Sequence, residues 1–329
     1  MSYEVLRRVE DLGLNDRINM EMLHESIGEL DRLIGMEDTK REIFGFIYLF
    51  IEDLTQGRET PVSRLHSLFL GEPGTGKTTV SKIFAKILHS FGFRRLIEGE
   101  NVLQDIRGHL RGEGSQSTLF RLHDRVDSYL GIREAGTYVM SGRSDFVAEY
   151  QGQTAIRTKN YLTENLGKIV IVDDAYNLCH GTDDMYGREA LDSIMRFISE
   201  EEGIVIILNG YANETASNIF SIQRGLERRF QTTFMLGSYC PRDLLGILNQ
   251  ILGRDSIRVQ EEVIDVISAN RIHMRNNGGD MEKLAFSCRM IIAKQNFFNK
   301  SHSSNVTPEI AIEAIGTVVK KCSSCPATS

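Results

Sequence analysis

The sequence predicts an α/β fold in which a parallel sheet is sandwiched by helices and followed by a small all-helical domain. Two observations lead to this prediction. Short apolar runs at 65–70, 168–172 and 203–208 alternate with stretches of helical periodicity, and buried parallel strands have this appearance. From Pro241 to about residue 320 every segment has helical character, with breaks at 278–279 and 307–309.

The first part of the chain is predicted to be helical. Residues 1–30 alternate apolar and charged side chains in a manner that indicates one or two short helices, and 31–36 is predicted to be a turn. A further helix is expected from Glu37, because acidic residues occupy its first turn and Ile43, Ile47 and Ile51 form an apolar face.

Residues 71–78 read Gly-Glu-Pro-Gly-Thr-Gly-Lys-Thr, a phosphate-binding loop of the form G-x-x-x-x-G-K-T. The loop follows a predicted strand and precedes a predicted helix, which is the context that the motif requires. Its glycines let backbone amides approach phosphate oxygens, and the start of the helix adds a partial positive charge. Lys77 is expected to reach the β- and γ-phosphates, and the Thr78 hydroxyl to bind Mg²⁺. ATP and Mg²⁺ are therefore the predicted cofactors, bound by Glu72, Pro73, Gly74, Thr75, Gly76, Lys77, Thr78 and Thr79.

Two acidic residues, Asp173 and Asp174, end the predicted strand at 168–172. In P-loop ATPases of this arrangement, the first acid supports the magnesium ion and the second positions or polarises the attacking water. The pair therefore predicts ATP hydrolysis. A strand whose terminal acids serve only the following turn is the alternative.

Residues 92–137 hold many charges and several glycines, which indicates a surface insertion. Within it, Leu119, Leu122, Val126 and Leu130 are spaced for an amphipathic helix. Beyond it the pattern predicts strands at 138–140 and 232–236, and helices at 154–166, 187–199 and 219–226.

Net charge and hydropathy indicate which classes of partner are disfavoured. The formal net charge is -7, and this argues against general electrostatic attraction to nucleic acid or to an anionic membrane. No apolar run approaches the length of a membrane helix, and the first residues lack a signal-peptide core. A cytoplasmic location without membrane association is expected.

The chain resembles the AAA+ ATPases, and within them the branch of the stage V sporulation protein K and the red-type rubisco activase. The resemblance covers about residues 28 to 295. The Tyr-x-Gly-Gln-Thr-Ala and Asp-x-Ala-Tyr pieces are specific to that branch, and the stretches that carry the resemblance are 33–37, 71–79, 144–155, 172–176, 186–190, 210–212 and 225–230.

The resemblance implies roles for individual residues. Ile34 and Gly35 are expected beside the adenine, and Asp173 is expected to be the magnesium acid. Tyr150, with Gln151 and Gly152, is expected on a loop that lines a central pore and grips a polypeptide. The implied catalytic set comprises Lys77, Asp174, Asn209 and Arg229, with Arg229 as the arginine that reaches a neighbouring subunit's γ-phosphate. Either Asn209 or Tyr211 is expected to hold the attacking water.

The sequence departs from the family pattern in two places besides the insertion. Asp174 stands where the family usually has Glu, and its carboxylate is set back by about 1.3 Å, which favours slow hydrolysis. Met281 occupies the neighbourhood of the usual sensor 2 arginine, and Lys283 or Arg289 is the candidate replacement.

The functional prediction is an ATP-driven ring, a homohexamer, that remodels or threads a protein partner through its pore. The alternatives are a slow-turnover, ATP-gated assembly scaffold and, less favoured, a nucleic-acid motor. The predicted domains are an N-terminal helical segment at 1–30, a nucleotide-binding domain at 31–238, a helical lid at 239–320 and a polar tail at 321–329.

Overall fold

The computed structural model describes residues 2–14, 18–58, 60–91, 138–201, 203–299 and 304–323. The predicted insertion at 92–137, with its amphipathic helix, and the end of the predicted tail lie outside the described residues. The chain divides into two compact units. The first comprises Met1–Arg32, Asp38–Leu70 and Lys77–Met235, and the second comprises Leu33–Glu37, Gly71–Gly76 and Leu236–Ser329.

In the described part of the chain, three α-helices precede the sheet: α1 (Ser2–Asp11), α2 (Met20–Arg32) and α3 (Glu37–Thr55). Helix α2 buries Leu23, Ile27 and Leu30, which recur at helical spacing. The predicted turn at 31–36 is shorter than expected because α2 continues to Arg32.

The central sheet has five strands in the order β2-β3-β4-β1-β5. They are β1 (Ser67–Gly71), β2 (Tyr138–Ser141), β3 (Ile169–Val172), β4 (Val205–Gly210) and β5 (Thr232–Leu236). The β1–β4, β2–β3 and β3–β4 pairs are parallel, so their carboxyl ends meet at one edge. Strands β3 and β4 are buried throughout, which is why they read as unbroken apolar runs.

Successive side chains of a strand point to opposite sides, so this sheet has apolar side chains on both faces. Helices cover both of these faces. Phe69 of β1 stacks on Phe234 with ring centroids 4.5 Å apart, and both rings meet Phe84 of α4 (Lys77–Ser90). Leu68 and Leu70 point the other way, into a core shared with Leu162 and Leu191. The further α-helices among the described residues of this unit are α5 (Arg143–Phe146), α6 (Thr154–Glu164), α7 (Met185–Glu200), α8 (Ala212–Thr215) and α9 (Arg224–Glu227).

The predicted helix at 219–226 is not continuous. A five-residue π-helical turn, Ala216–Phe220, directly follows α8, and α9 starts only at Arg224. The wide turn brings the Asn218 side chain to the backbone of Tyr176, where its Nδ2 donates to the carbonyl at 3.2 Å.

The second unit carries the predicted C-terminal helices α10 (Pro241–Gly253), α11 (Val263–Ala269), α12 (Gly278–Asn299) and α13 (Pro308–Ser323). Their buried faces form one core that includes Leu244, Leu248, Met281 and Leu284. A short parallel ladder, β6 (Arg258–Val259) with β7 (Asn305–Val306), adds to this helical part. The fold class predicted from the sequence is confirmed, whereas the predicted domain bounds stay a prediction. Among the described residues, no helix has the length and apolar character needed to span a bilayer.

Candidate active site

Thr78 and Asp173 are 95 residues apart in the sequence and in direct contact in the fold. Thr78 is the second residue of α4, and Asp173 directly follows β3. The Thr78 hydroxyl lies 3.0 Å from Oδ1 and 2.9 Å from Oδ2 of Asp173, so it donates to that carboxylate. The two residues predicted to hold the metal are therefore brought together at the carboxyl edge of the sheet.

Asn209 closes a hydrogen-bonded circuit around this pair. Its Nδ2 lies 3.2 Å from Asp173 Oδ1 and 2.9 Å from Ser81 Oγ, and the Ser81 hydroxyl donates to the Thr78 carbonyl at 3.2 Å. Asn209 is fully buried, and its Oδ1 has no hydrogen-bond partner among the described residues. A buried acceptor without a hydrogen bond costs free energy, so a donor is expected to bind Asn209 Oδ1. Ser81 was missed by the sequence analysis, although its position one helical turn after Thr78 is a usable signal.

Lys77 lies on an aromatic pair. Its Nζ is 4.6 Å from the ring centroid of Tyr211, within the range of a cation–π interaction. The Tyr211 ring stacks on that of Tyr176, with centroids 4.9 Å apart and planes 20° from parallel. Lys77 is only 9% exposed, so the interaction lies largely out of water.

The side chain of Asp174 is exposed, and its backbone has φ 48° and ψ 48° in the left-handed region. Short polar side chains such as Asp tolerate this region better than longer ones such as Glu. The local backbone therefore gives a physical reason for the Asp that stands where the family usually has Glu.

In the second unit, residues 276–278 engage the carbonyls of the phosphate-binding loop. Asn277 Nδ2 lies 3.1 Å from the Pro73 carbonyl, and the Gly278 amide lies 3.0 Å from the Gly74 carbonyl. A Cβ on Gly74 would lie 1.9 Å from the Asn276 carbonyl oxygen, so only glycine fits there. The Tyr239 hydroxyl donates to the Thr75 carbonyl at 3.1 Å.

Asn277 was missed by the sequence analysis, which treated residues 278–279 only as a helix break. It is 1% exposed, has φ 48° and accepts hydrogen bonds from the Tyr239 amide at 3.3 Å and from Arg271 Nη2 at 3.0 Å. The Asn-Asn-Gly-Gly run was the available signal, because Asn tolerates the left-handed region.

The residues predicted to lie beside the adenine belong to the second unit. Gly35 has φ 69°, and a Cβ there would approach the Asp243 carboxylate at 3.1 Å. Ile34 packs against Gly246 of α10. The two predicted sensor 2 replacements bind acids of the same unit: Lys283 Nζ lies 3.5 Å from Asp280, and Arg289 Nη1 lies 3.2 Å from Asp255. Met281 is buried in the helical core.

Arg229 lies at the opposite edge of the sheet from Thr78 and Asp173. It follows α9 and precedes β5, and its charge acts on His66, the residue before β1. Strand β1 rises about 3.3 Å per residue over its length, which separates Arg229 from Thr78 by roughly 15 Å. Arg229 is thus not brought together with the metal-binding pair of its own chain.

Tyr150 projects from the loop between α5 and α6 and is 67% exposed. Gln151 and Gly152 are exposed beside it, and Gly152 has φ 79°. The base of the loop is fixed, because Thr154 Oγ1 accepts from the Ala148 amide at 3.2 Å and the Thr158 hydroxyl donates to the Phe146 carbonyl at 2.9 Å. The loop therefore presents an aromatic side chain from a rigid base.

An ion pair fixes the segment that follows the two acids. Arg143 Nη1 donates to Asp184 Oδ2 at 2.6 Å and to the Leu178 carbonyl at 2.7 Å. Asp184 also caps α7 through the Gly187 amide. Burial raises the pKa of Asp184, but the hydrogen bonds from Arg143 and from the Gly187 and His180 amides outweigh it and hold the pKa well below its usual range.

The Thr78 hydroxyl and the Asp173 carboxylate are suitable ligands for a magnesium ion. Hydroxyl and carboxylate oxygens are the hard ligands that Mg²⁺ prefers, and Mg²⁺ is usually held by one or two protein groups together with phosphate oxygens. In the part of the chain that the structure describes, no group of three or more His, Cys, Asp or Glu side chains is arranged to hold a metal by itself.

A family comparison matches residues 67–238 to the ATPase family associated with various cellular activities (AAA). The match covers more than half of the chain and includes the phosphate-binding loop, Asp173, Asn209 and Arg229. This chain belongs to the AAA ATPase family.

Relatives with similar sequences lie in the branch that the sequence motifs indicated. Stage V sporulation protein K of Bacillus subtilis is 28% identical over 245 residues, covering 73% of this chain and 64% of that protein. The chloroplastic cbbX homolog of Guillardia theta is 27% identical over 249 residues, covering 75% and 56%. ESX-1 secretion system protein EccA1 of Mycobacterium tuberculosis H37Rv is 28% identical over 251 residues, covering 74% and 37%. The chain thus spans less than two thirds of the length of these relatives.

Solved structures support the AAA fold. The AAA domain of FIGL-1 in complex with ADP superposes with a TM-score of 0.54 at 13% identity, covering 91% of this chain and 85% of that one. The RuvB Holliday junction branch migration motor of Thermotoga maritima gives a TM-score of 0.52 at 13% identity, covering 88% and 71%. At this identity the likeness concerns the fold alone.

Proposed function

We propose that this AAA family member is a magnesium-dependent ATPase that assembles into a ring and uses ATP hydrolysis to remodel or thread a protein partner. The observation that carries the hydrolytic part is the Thr78–Asp173–Asn209–Ser81 circuit. It joins the residue after the P-loop lysine to the acid that ends β3, in the first unit of the structure.

Three members of the circuit have a chemical task in this proposal. The Thr78 hydroxyl and the Asp173 carboxylate hold Mg²⁺, which when bound neutralises charge that develops between the β- and γ-phosphates. Asn209 fixes the Asp173 carboxylate through Nδ2 and leaves Oδ1 as an acceptor for the attacking water. Asn209 is therefore favoured over Tyr211 as the residue that holds this water, because Tyr211 lies under Lys77.

Lys77 and Asp174 act on the reacting groups. The Lys77 ammonium is proposed to neutralise the β- and γ-phosphate oxygens, while the amides of residues 72–76 surround the phosphates and Thr79 continues the helix start. Ile34 and Gly35 are proposed to lie by the adenine. Asp174 is proposed to orient the water for in-line attack, at a low rate because its side chain is short.

Ring assembly is supported by the position of Arg229. A cation that accelerates phosphoryl transfer has to reach the γ-phosphate, and Arg229 lies at the wrong edge of the sheet to do so in its own chain. We propose that it serves the site of an adjoining copy, in a homohexamer. The exposed Tyr150, with Gln151 and Gly152, is proposed to grip a protein client in the pore.

Two other functions are weighed against this one. A slow-turnover, ATP-gated scaffold is favoured by one observation, the short Asp174 in its left-handed backbone. A nucleic-acid motor is disfavoured by the net charge of -7. We propose that the protein works in the cytoplasm, where ATP and magnesium are both present.

An ATPase assay with a fluorescent ATP-binding assay tests the proposal. Wild-type protein is expected to bind and hydrolyse MgATP. Lys77→Met is expected to lose both activities, because the cation on the phosphates is gone. Asp174→Asn is expected to retain binding and to lose hydrolysis by of order a hundredfold or more.

The matched control is Lys82→Met, which removes another lysine of α4 and should leave both assays unchanged. Wild-type protein that fails to bind MgATP would end the proposal. A wild-type rate near zero with tight, assembly-promoting ATP binding would favour the scaffold. Asp174→Asn can then be used in a pull-down with ATP to trap the client.

A further inference from the structure

The aromatic pair formed by Tyr176 and Tyr211 lies between two charged groups of the proposed site. One face of the Tyr211 ring carries Lys77 at 4.6 Å, and the ring stacks on Tyr176 with centroids 4.9 Å apart. The two tyrosines come from different elements, Tyr176 after β3 and Tyr211 after β4. No role for Tyr176 follows from the sequence motifs, and the structure stacks its ring on the tyrosine that carries Lys77.

The position of Tyr176 is fixed from several sides. Its carbonyl accepts the Asn218 amide at 3.2 Å, and a Cβ on Gly210 would lie 3.6 Å from its Cδ1. The Tyr176 ring therefore lies at ordinary contact distance from the end of β4. A ring held in this way is a rigid support, since an aromatic side chain has only two rotatable bonds.

The Tyr176 hydroxyl lies within electrostatic reach of the Asp174 carboxylate and of the Tyr211 side chain. Burial first, and then the charge of Asp174, raise the pKa of Tyr176 well above its ordinary value. Tyr176 therefore stays protonated at neutral pH, so its hydroxyl can donate a hydrogen bond to the neighbouring carboxylate.

We propose that Tyr176 and Tyr211 are positioning residues that hold Asp174 and Lys77 in register for ATP hydrolysis. Tyr176 orients the Asp174 carboxylate through its hydroxyl, and Tyr211 supports the Lys77 ammonium through its ring. This inference rests on the proposed ATPase function and adds residues to it.

The contact with Tyr176 explains how the short Asp174 side chain can orient the attacking water. The Asp174 side chain lacks one methylene relative to Glu and starts from a left-handed backbone. The side chain alone therefore does not fix the orientation of its carboxylate. A donor on the neighbouring ring restricts the carboxylate to one orientation. Misplacement of a reacting group by about 1 Å can cost of order a hundredfold in rate, so such a restraint has a measurable effect.

The first test compares Tyr176→Phe with Tyr48→Phe. Tyr176→Phe keeps the ring and removes the hydroxyl, so kcat for ATP hydrolysis should fall about tenfold or more, as expected for a lost hydrogen bond to a charged group. The affinity for a fluorescent ATP analogue with Mg²⁺ should stay within about twofold. Tyr48→Phe makes the same change on the exposed face of α3 and should leave both quantities unchanged. A Tyr176→Phe kcat equal to that of Tyr48→Phe would overturn the inference.

A double-mutant cycle with Asp174→Glu tests whether Tyr176 acts through the acid. The longer Glu carboxylate needs less support, so Tyr176→Phe should cost less than about threefold in that background. Equal costs in both backgrounds would overturn the inference while leaving the ATPase proposal intact. Wild-type protein without any hydrolysis would instead overturn both.

A pair of variants tests the role of Tyr211. Tyr211→Leu removes the ring under Lys77 and should weaken MgATP binding by roughly threefold to thirtyfold, the range of a partly buried cation–π interaction. Tyr211→Phe keeps the ring and should bind like the wild type. Equal affinities of the Leu and Phe variants would overturn the role assigned to Tyr211.

Discussion

At the residue scale, His66 shows how burial sets the charge of a side chain. It is 2% exposed, and its Nδ1 accepts a hydrogen bond from the Ile206 amide at 3.1 Å. Burial first, and then the Arg229 guanidinium, lower the pKa of His66 from 6.5 to about 4. His66 is therefore neutral at pH 7, in the tautomer that leaves Nδ1 free to accept.

This depressed pKa predicts a loss of stability in acid. The unfolded chain takes up the proton near pH 6.5, whereas folded His66 resists it down to about pH 4. The stabilisation is complete above about pH 6.5 and falls as the pH drops from 6.5 to 4, by about 3 kcal/mol in total. His66→Asn keeps an acceptor near Nδ1 and does not titrate, so its stability should depend less on pH in that window.

Urea unfolding at pH 7, 5.5 and 4.5 measures the effect. The free energy of unfolding should fall more steeply for the wild type than for His66→Asn. His24→Asn is the control, because it makes the same substitution at an exposed position on α2. Parallel slopes for the wild type and His66→Asn would contradict the assignment.

At the element scale, the loop between α5 and α6 has a rigid base and an exposed tip. The threading proposal assigns client contact to Tyr150, which is 67% exposed and has no part in the Thr78–Asp173 hydrogen bonds. Tyr150→Ala should therefore leave basal ATP hydrolysis within about twofold and abolish client remodelling. Tyr150→Phe should retain remodelling, because a gripping role needs the ring and not the hydroxyl.

Both variants are measured with the client recovered by the Asp174→Asn trap, by comparing ATP hydrolysis with client conversion. Remodelling that survives Tyr150→Ala would remove the threading part of the proposal. Basal hydrolysis lost in Tyr150→Ala would show instead that the loop supports the catalytic residues.

The elements differ in how far the sequence could predict them. Strands β3 and β4 were predictable because burial on both faces leaves an unbroken apolar run. The β6–β7 ladder was not, since strands of two residues carry no periodicity. The π-helical turn at Ala216–Phe220 was also missed, because its wide geometry depends on tertiary contacts such as that of Asn218 with Tyr176.

The residues of the candidate site also differ in how far the sequence could predict them. Motif spacing predicted Thr78 and Asp173 because their chemistry depends on residue type at the start of a helix or the end of a strand. The family resemblance implied Asn209, as one of two candidates with Tyr211. Ser81 and Tyr176 were not predicted, since their contacts arise only when β3, β4 and α4 come together. Gly187 is similar: a Cβ there would lie 2.6 Å from the Leu178 carbonyl, a restriction set by the fold.

At the scale of the whole molecule, the sheet separates two parts of the proposed chemistry. Thr78, Asp173 and Asn209 lie at its carboxyl edge, and Arg229 lies beside His66 at its amino edge. One chain thus has the proposed metal-binding pair at one edge of the sheet and the Arg229 guanidinium at the other. Copies joined in a ring would pair each site with an arginine from the next copy.

Mixing two inactive variants tests this pairing. Arg229→Ala keeps Lys77 but supplies no arginine to its neighbour. Lys77→Met has no lysine in its own site but still supplies Arg229 to its neighbour. Each variant alone should lack ATP hydrolysis. In an equal, random mixture, a site is complete when an Arg229→Ala chain is followed by a Lys77→Met chain, so about a quarter of the sites should recover.

The recovery should grow with protein concentration, because it requires assembly, and it should disappear when both substitutions are placed in every chain. The matched control for the geometry of the guanidinium is the double variant Lys77→Met/Arg229→Lys mixed with Arg229→Ala. It supplies a lysine in place of the arginine at each shared site, so this mixture should recover less activity. If Arg229 served the ATP of its own chain, no mixture of the two variants would contain a complete site. A mixture that stays inactive, from variants that bind each other, would therefore exclude the shared site and the ring that depends on it.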